Sequence, residues 1–541
     1  MIHPSYVELM KVVNDEGEIG EEPVVNSRYS IVLATAKRAR QIIAGAKPLI
    51  DDPVCNKPLS IAVEELYRGE VKIVPGEDEN YEIPKGSDSC HSLFQVRGYM
   101  KLLFVSLGCD KNLVDSEYMI GMLTSHGIEL TDDETEADII IVNSCCFIGD
   151  AKEESINTIL EMAEQKKTGC CKSLIVTGCL TQRYQDEVKK EIPEVDAILG
   201  TNSYDSIVEA LEETLQHKFY KNFHTLSGLP QLSTKRTVTT GGHYAYLKIA
   251  EGCNKNCTYC VIPSVRGRYR SVPMDELVTS AEELVAGGVK ELILVAQETT
   301  LYGVDLYGKK CLHELLDRLN GISGLFWIRI MYCYPEEIYE ELIDSMIKDK
   351  KVCHYLDMPI QHCNDTILQR MGRKTNKKEL IERIHYLRKR VPDITLRTSL
   401  ICGFPGETKE QHEELMQFVN DMEFDRLGAF TYSAEEGTPA AEMPDQVPQE
   451  QKEEWQADVM ELQEEVIFDK NEAMKGTVLY AFIEGQVADE NNTYVGRTYR
   501  DAPNVDGYIF INTDEELLTG DIVKVEVTGA YEYDLIATIV K

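Results

Sequence analysis

The sequence predicts a multidomain chain: an α-helical N-terminal module, an α/β domain, a partial (β/α) barrel and a C-terminal all-β barrel. Three observations predict it. The 541 residues suit three or four domains rather than one. From Met100 onward, short buried-strand patterns alternate with amphipathic helical stretches, the texture of parallel α/β units. From residue 476 to the end, short apolar/polar alternations separated by turns replace that texture.

Each element follows in chain order. Residues 1–76 read as helical. "NSRYSIVLATAKRARQIIAGA" carries Val32, Ala36, Ala39, Ile43 and Ala46 at helical spacing, with Lys37, Arg38 and Arg40 off that stripe. Asn26 or Ser27 can cap its start. "PLSIAVEELYRGEV" reads as a second short helix. Residues 77–99 are polar, punctuated by Pro and Gly and without period, which reads as a linker. Residues 100–216 hold three strand patterns, "MKLLFVSLGC", "ADIIIVNSCCF" and "SLIVTGCL", with helical stretches between. Residues 239–470 hold six more: "YAYLKIAEGC", "ELILVAQETT", "WIRIMYCYP", "YLDMPIQHC", "ITLRTSLICGFPGET" and "LGAFTYSAEEGTP". Six strands with intervening helices predict a partial barrel whose functional loops lie at the C-terminal strand ends. A long charged helix, "PQEQKEEWQADVMELQEEVIFDKNEAMKG", leads to the all-β module at 476–541.

Composition narrows the function classes. Lys and Arg number 56 against 92 Asp and Glu, a net charge of −36, which disfavours nucleic acid as a partner for the whole surface. No apolar run reaches membrane-spanning length, and the N-terminus lacks an apolar core behind a positive patch. A cytoplasmic protein is the expectation, with no membrane partner. In that compartment sixteen cysteines are metal ligands where clustered and core residues where scattered, rather than a disulfide framework.

Six cysteines stand at predicted strand ends, in two sets. Cys253, Cys257 and Cys260 share one loop, "EGCNKNCTYCVIP". Cys109, Cys145 and Cys179 each close a strand of the preceding domain, in "SLGCDKN", "VNSCCF" and "TGCL". Neighbouring strands of a parallel sheet converge at their C-terminal ends, so the dispersed set can meet there. Cys146 reads as a packing residue, since strand neighbours point to opposite faces. Three readings stand for the tight loop. A structural zinc site requires a fourth, distant ligand. A Cys-x2-Cys dithiol normally opens a helix of a thioredoxin-like unit. Three thiolates also leave one iron of a four-iron cluster open to a small molecule. For the dispersed set, buried core thiols remain the simpler reading of the residues alone.

The loop resembles the radical S-adenosylmethionine (SAM) signature Cys-x3-Cys-x-aromatic-Cys, with Tyr259 as the aromatic. With "SLGCDKNLVDSE", "AEGCNKNCTYCVIPSVRGRYRS", "AQETTLYGVD", "MPIQH" and "LRTSLICGFPGET", residues 100–541 resemble the RimO branch of the methylthiotransferase family, whose last module is called TRAM. The resemblance implies two [4Fe-4S] clusters. One sits on Cys253, Cys257 and Cys260 and binds SAM. The auxiliary one sits on Cys109, Cys145 and Cys179 and carries or supplies sulfur. It implies SAM contacts at Tyr259, Gln297, Glu298 and Gly403. Arg397 stands equally as a SAM contact or as half of a buried ion pair. The implied reaction is radical: SAM is cleaved reductively, hydrogen leaves an unactivated carbon, sulfur arrives from the auxiliary cluster, and a second SAM gives the methyl group. Side-chain acid–base catalysis has no part in that, so no catalytic side chain is assigned. A reductant such as flavodoxin or ferredoxin is implied.

The RimO branch modifies an aspartate of small-subunit ribosomal protein S-twelve, and its sister, the MiaB-like branch, an adenosine of tRNA. Residues 476–541 hold four basic and twelve acidic side chains, a net −8, which suits a basic protein better than RNA. The run Arg266, Arg268, Arg270 remains open to RNA contact, to the SAM site or to carboxylate pairing. The N-terminal strings "HPSYVELMKVVN", "NSRYSIVLATAKRARQI" and "PLSIAVEELYRGEV" resemble the omega subunit of bacterial RNA polymerase. That implies a non-catalytic module promoting assembly of the polymerase core, fused to an enzyme. The readings left standing are thus an aspartate methylthiotransferase, a tRNA methylthiotransferase and a non-catalytic zinc-binding, polymerase-associated protein.

Overall fold

A computed structural model describes residues 100–230, 236–488 and 492–540, together with 47–50, 61, 64–66, 68 and 71. The chain divides into two units, Met1–Gly98 with Gln486–Thr493, and Tyr99–Gly485 with Tyr494–Lys541. In the first unit, Ile61 and Glu64–Leu66 are helical, inside the second predicted helix, and the Leu49 N–H donates to Glu65 Oε1 at 2.7 Å. The first predicted helix, the linker and most of the omega-like segment lie outside the described residues.

The second unit begins with six parallel strands: β1 (Lys101–Ser106), β2 (Glu129–Leu130), β3 (Ile139–Ser144), β4 (Ser173–Gly178), β5 (Ala197–Leu199) and β6 (Tyr220–Asn222), in the order β2-β1-β3-β4-β5-β6. The three predicted strands are its centre. Every residue of β3 and β4 is buried, which a strand covered by helices on both faces requires, and "IIIV" and "SLIV" supply side chains for both faces. The sheet runs to Asn222, past the predicted boundary at 216. Strands as short as β2, β5 and β6 leave too little sequence for a recognisable pattern.

The predicted open barrel is present. Strands β7 (Tyr244–Lys248), β10 (Glu291–Val295), β11 (Trp327–Ile330), β12 (Val352–Asp357), β13 (Thr395–Cys402) and β14 (Arg426–Thr431) form one sheet in the order β14-β13-β12-β11-β10-β7, parallel throughout. Between β7 and β10, the two-residue strands β8 (Ala250–Glu251) and β9 (Arg270–Ser271) pair antiparallel. The helices outside the sheet turn apolar stripes inward. Leu312, Leu315, Leu316 and Leu319 of helix Leu312–Asn320 show the i, i+3, i+4, i+7 spacing. The charged helix Gln449–Glu472 closes the β14 side through Lys452, Trp455, Val459, Gln463, Ile467 and Asn471.

Strands β15 (Val478–Gln486), β16 (Thr493–Thr498), β17 (Ile509–Asn512), β18 (Ile522–Tyr531) and β19 (Asp534–Ile539) form a closed barrel in the order β15-β16-β17-β19-β18. An apolar cluster containing Tyr246, Ile293, Val295, Met331 and Tyr355 of the open barrel also takes in Val114 of helix Asp110–Ser125 and Phe482 and Ala502 of the closed one. A buried ion network reinforces that junction. Glu291 accepts from Arg329 Nε at 2.8 Å and from Arg497 Nη2 at 2.7 Å, with all three side chains at most 1% exposed.

Candidate functional site

Parallel topology brings the dispersed cysteines to one edge. β1, β3 and β4 are adjacent, and Cys109, Cys145 and Cys179 follow their C-terminal ends. Two glycines allow the close approach. Gly108 has φ +86°, and a Cβ there would meet Cys145 Sγ at 2.9 Å. Gly178 has φ +100°, and a Cβ there would lie 2.4 Å from Asn143 Oδ1 and Ser144 O. The Cys145 N–H donates to Ser155 Oγ at 2.8 Å. Asn112 ties the edge together, donating to Leu107 O at 3.0 Å and Ser144 O at 3.1 Å, while Cys179 Sγ lies 3.9 Å from its Oδ1. Cys109 is exposed, whereas Cys145 and Cys179 are buried. Burial, reinforced by Cys179, pushes the Cys145 thiol up to about 12. Burial also raises Cys179, against an opposing pull from the Arg266 charge. Thiols held protonated in this way ionise when a metal takes the proton's place. Cys146 is fully buried in the apolar cluster, as its packing reading requires.

The second set sits in a closed loop bracketed by β8 and β9. Gly252 has φ +80°, and any side chain there would strike Arg268 O at 2.3 Å. The Cys253 N–H donates to Gly267 O at 3.1 Å, and Asn254 Oδ1 accepts from the Tyr269 N–H at 3.2 Å. The Lys255 N–H donates to Cys253 Sγ at 3.4 Å, and Tyr334 Oη lies 3.5 Å from Cys257 Sγ. Burial pushes Cys253 up to about 11 and Cys260 up to about 12. A cavity of about 520 Å³ beside Cys257 and Cys260 is lined from both domains, by Arg183 and Tyr184 on one side and Glu436 and Thr438 on the other. Among the described residues no three His, Cys, Asp or Glu side chains are grouped as ligands of a single metal ion. The thiolates of a four-iron cluster each bind a separate iron.

The predicted SAM residues fare differently. Gln297 and Glu298 follow β10, near the cysteine loop. Gln297 Nε2 donates to Glu251 Oε1 at 2.7 Å, while Gln297 Oε1 and Glu298 Oε2 are buried without a hydrogen-bond partner among the described residues. Such orphaned acceptors fit an ammonium donor. Burial pushes the Glu298 carboxyl up to about 7. Tyr259 packs edge-on to Phe404, ring centroids 6.4 Å apart, against an apolar cluster with Tyr432. Arg397 pairs with Asp357 at 2.7 Å and Asp506 at 3.3 Å. At Gly403 (φ +75°) the neighbour that requires glycine is Lys452, whose Cγ would lie 2.2 Å from an added Cβ. The adenosyl group was expected to make that approach.

Of the arginine run, Arg268 is exposed, while Arg270 donates to the Leu226 and Arg268 carbonyls, each at 2.6 Å. Arg266, 2% exposed, turns towards the auxiliary cysteines. It donates to Asp115 Oδ2 at 2.8 Å, to Glu251 Oε2 at 3.1 Å and to Asn112 Oδ1. Pairing inside the protein is the correct reading of Arg266 and overturns RNA contact there. Sequence reasoning missed Asn112, Arg373 and Tyr334 altogether. Their motifs "DKN", "MGRKT" and "YCYP" carry no spacing that marks a site without the fold.

Family models match in the predicted order: RNA polymerase Rpb6 at 23–73, uncharacterized protein family UPF0004 at 101–200, the radical SAM superfamily at 247–419 and the TRAM domain at 476–540. The ribosomal protein uS12 methylthiotransferase RimO of Lachnoclostridium phytofermentans is 60% identical over 439 residues, covering 81% of this chain and 100% of that protein. The protein of the same name from Clostridium botulinum (strain Hall) is 49% identical over 440 residues, covering 81% of this chain and 98% of its own length. A radical SAM methyltransferase structure, TsrM from Kitasatospora setae, aligns with a TM-score of 0.45 at 14% identity, over 61% of this chain and 73% of that one. The first of these relatives is matched along its whole length, across the segment that carries both cysteine sets. The chain therefore belongs to the RimO family of radical SAM methylthiotransferases, enzymes that transfer sulfur with the help of SAM, and carries an RNA polymerase Rpb6-type segment ahead of the enzyme.

Proposed function

We propose that this chain methylthiolates the β-carbon of an aspartate in small-subunit ribosomal protein uS12, using two [4Fe-4S] clusters and SAM. One observation carries the reading. Two sets of three cysteines stand at the C-terminal edges of two parallel sheets packed in one unit, joined through Arg266 and Asn112. Cys253, Cys257 and Cys260 would hold the SAM-binding cluster, and Cys109, Cys145 and Cys179 the auxiliary one. When bound, these groups supply the electron, the adenosyl radical chemistry and the sulfur, none of which a side chain can provide. The chain's own residues bind, orient and exclude water. Gln297 Oε1 and Glu298 Oε2 would accept from the ammonium of the methionyl group, since neither has a partner among the described residues. Tyr259, backed by Phe404, would offer its ring to the adenine.

The exposed charge of the C-terminal module favours a basic protein over tRNA. Of its four basic residues, Arg497 and Arg500 are buried in ion pairs, and Lys524 is the one exposed cation among the described residues. Asp514, Glu515, Glu516 and Glu526 are exposed. Asp501 and Asp506 are buried along with the two arginines, so the exposed surface keeps its acidic balance and is unsuited to phosphate contacts.

Residues 1–76 would engage the RNA polymerase core, a role supported by the Rpb6 match at 23–73. The electron would come from a small reductant such as flavodoxin or ferredoxin.

The test is anaerobic reconstitution followed by mass spectrometry of both substrates. About eight iron atoms per chain are expected, four for each cluster. With SAM and reductant, uS12 should gain a methylthio group. Methylthiolated tRNA with unmodified uS12 would overturn the substrate, and zinc without sulfide would overturn the enzyme. Cys257→Ala should lose SAM cleavage and keep about half the iron. Loss of both clusters would refute the division into two sets.

A further inference from the structure

The segment Arg370–Arg373 lies directly on the Cys253–Cys260 loop. The Thr258 N–H donates to Met371 O at 3.0 Å, and Thr258 Oγ1 donates to Arg370 O at 2.8 Å. Gly372 has φ +76°, and a Cβ there would lie 2.7 Å from Asn256 O and 3.6 Å from Cys257 Cα. No side chain separates the two segments at that point. The next residue, Arg373, has a side chain only 1% exposed.

Its guanidinium is incompletely satisfied. Nη2 donates to Pro359 O at 3.1 Å and approaches Glu336 Oε2 at 3.5 Å, a carboxylate whose other oxygen lies 4.0 Å from Lys255. Nε and Nη1 are buried with no hydrogen-bond partner among the described residues. The guanidinium carbon lies 4.2 Å from the centroid of the Tyr334 ring, and Lys255 Nζ lies 4.9 Å from that same centroid. Tyr334 Oη is the group 3.5 Å from Cys257 Sγ. A buried cation with two unused donors is expensive unless an anion meets it. Three thiolates around an iron–sulfur core form an anion, and hydrogen bonds to its sulfurs help set its potential.

We propose that Arg373 is the buried counter-cation of the cluster seated on Cys253, Cys257 and Cys260, donating through Nε–H and Nη1–H to its thiolate or sulfide sulfur, with Tyr334 as its platform. The inference rests on the reading of those cysteines as cluster ligands. In this role Arg373 acts through the cluster, as a positioning and potential-setting residue. Reduction adds negative charge to the cluster, and a fixed cation stabilises that state and raises the potential.

The experiment is redox titration of the reconstituted full chain, following the reduced-cluster signal that changes on SAM addition, with iron and sulfide assayed in parallel. Arg373→Met should keep the iron content and lower the reduced-to-oxidised ratio at fixed potential at least tenfold, about 59 mV for one electron. Arg373→Lys, which keeps the charge but not the fork, should shift by less than half of that. If Arg373→Met fails to take up iron, Arg373→Gln is titrated against the same threshold. An unchanged potential overturns the proposal. A potential unchanged without SAM, combined with a tenfold loss of SAM affinity, overturns it too, because the anion would then be the SAM carboxylate. Failure of the underlying reading looks different: wild-type chain and a Cys253→Ala, Cys257→Ala, Cys260→Ala variant would carry equal iron.

Discussion

Replacing Arg266 with methionine should unfasten the junction between the two cysteine sets. Arg266 and Lys248 face Asp115 and Glu251, two cations against two carboxylates, in a group 9% exposed or less at every side chain. Burial alone pushes the Glu251 carboxyl up, and the Arg266 and Lys248 charges outweigh it and hold it well below the usual carboxylate range. Without the guanidinium, two buried carboxylates share one ammonium. Removing one partner of a buried ion pair costs about 3–5 kcal/mol. The orphaned Asn112 Oδ1 adds about 1 kcal/mol, at the low end for an unsatisfied acceptor. A loss of about 4–6 kcal/mol is therefore expected. Urea unfolding reads it through the fluorescence of Trp327 and Trp455, the two tryptophans of the chain. Adding Asp115→Asn to Arg266→Met removes the excess negative charge and should restore at least half the loss. The pH dependence should also reverse. The depressed wild-type Glu251 contributes stability above its unfolded value and loses it only as acid reaches the folded value. In the variant, burial raises Glu251, so stability improves as pH falls. A cost below about 1 kcal/mol, or no recovery in the double variant, would refute the idea that paired charge holds this junction.

Glu298 has the opposite sign. Its carboxyl titrates at about 7 because of burial, above its unfolded value, so the protein without SAM should lose stability as pH rises from about 4.5 through 7. Glu298→Gln should remove that slope and stabilise the chain by about 3 kcal/mol at pH 8, read by denaturant unfolding at two pH values. Glu291→Gln weakens both arginine pairs at once and should cost about 3–5 kcal/mol, with loss of hydrogen-exchange protection in β15 and β16. Gly403→Ala meets a left-handed backbone and the Lys452 side chain, and should lower the melting temperature through about 1–2 kcal/mol of backbone strain alone.

The architecture was legible because its signals are periodic and local. All six barrel strands overlap the apolar runs that predicted them, β12 beginning three residues ahead of its run at Val352, and the long charged helix is present at Gln449–Glu472. Cys253, Cys257 and Cys260 could be grouped from spacing, since one tight loop holds them. Cys109, Cys145 and Cys179 needed the additional rule that parallel strands end on a common edge. What sequence could not convey was pairing between distant residues. Asp357, Asp506 and Arg397 are an ion-pair cluster only because β12, β13 and the C-terminal barrel meet, which sequence does not display. Gly403 was expected to let the backbone approach an adenosyl group, and sequence could not show that the space beside its Cα is taken by Lys452, nearly fifty residues downstream. Arg373 was invisible for the same reason. An unsatisfied donor is defined by what does not surround it.

The separation between the two cysteine sets is set by helix Asp110–Ser125, which Cys109 caps. Three elements of the open barrel hold its N-terminal half. Lys248, ending β7, pairs with Asp115, and Arg266, leaving the cysteine loop, bonds Asn112 and Asp115. Tyr332, after β11, sends its hydroxyl to Asp110 Oδ1 at 3.3 Å and lies under Lys111 Nζ, 3.2 Å from its ring centroid. Tyr332 adopts φ +60°, a costly conformation for an aromatic residue. Its backbone is held at both ends: its carbonyl accepts from the Thr299 N–H at 3.0 Å, and its own N–H donates to Asp357 Oδ2 at 3.0 Å. Strain persists where surrounding structure over-determines it, and here it aims the ring at the residues that follow Cys109. A helix anchored at three points from separate elements cannot swing as a hinge without breaking several buried bonds at once. The placement of Cys109 beside the open barrel is thus a property of packing.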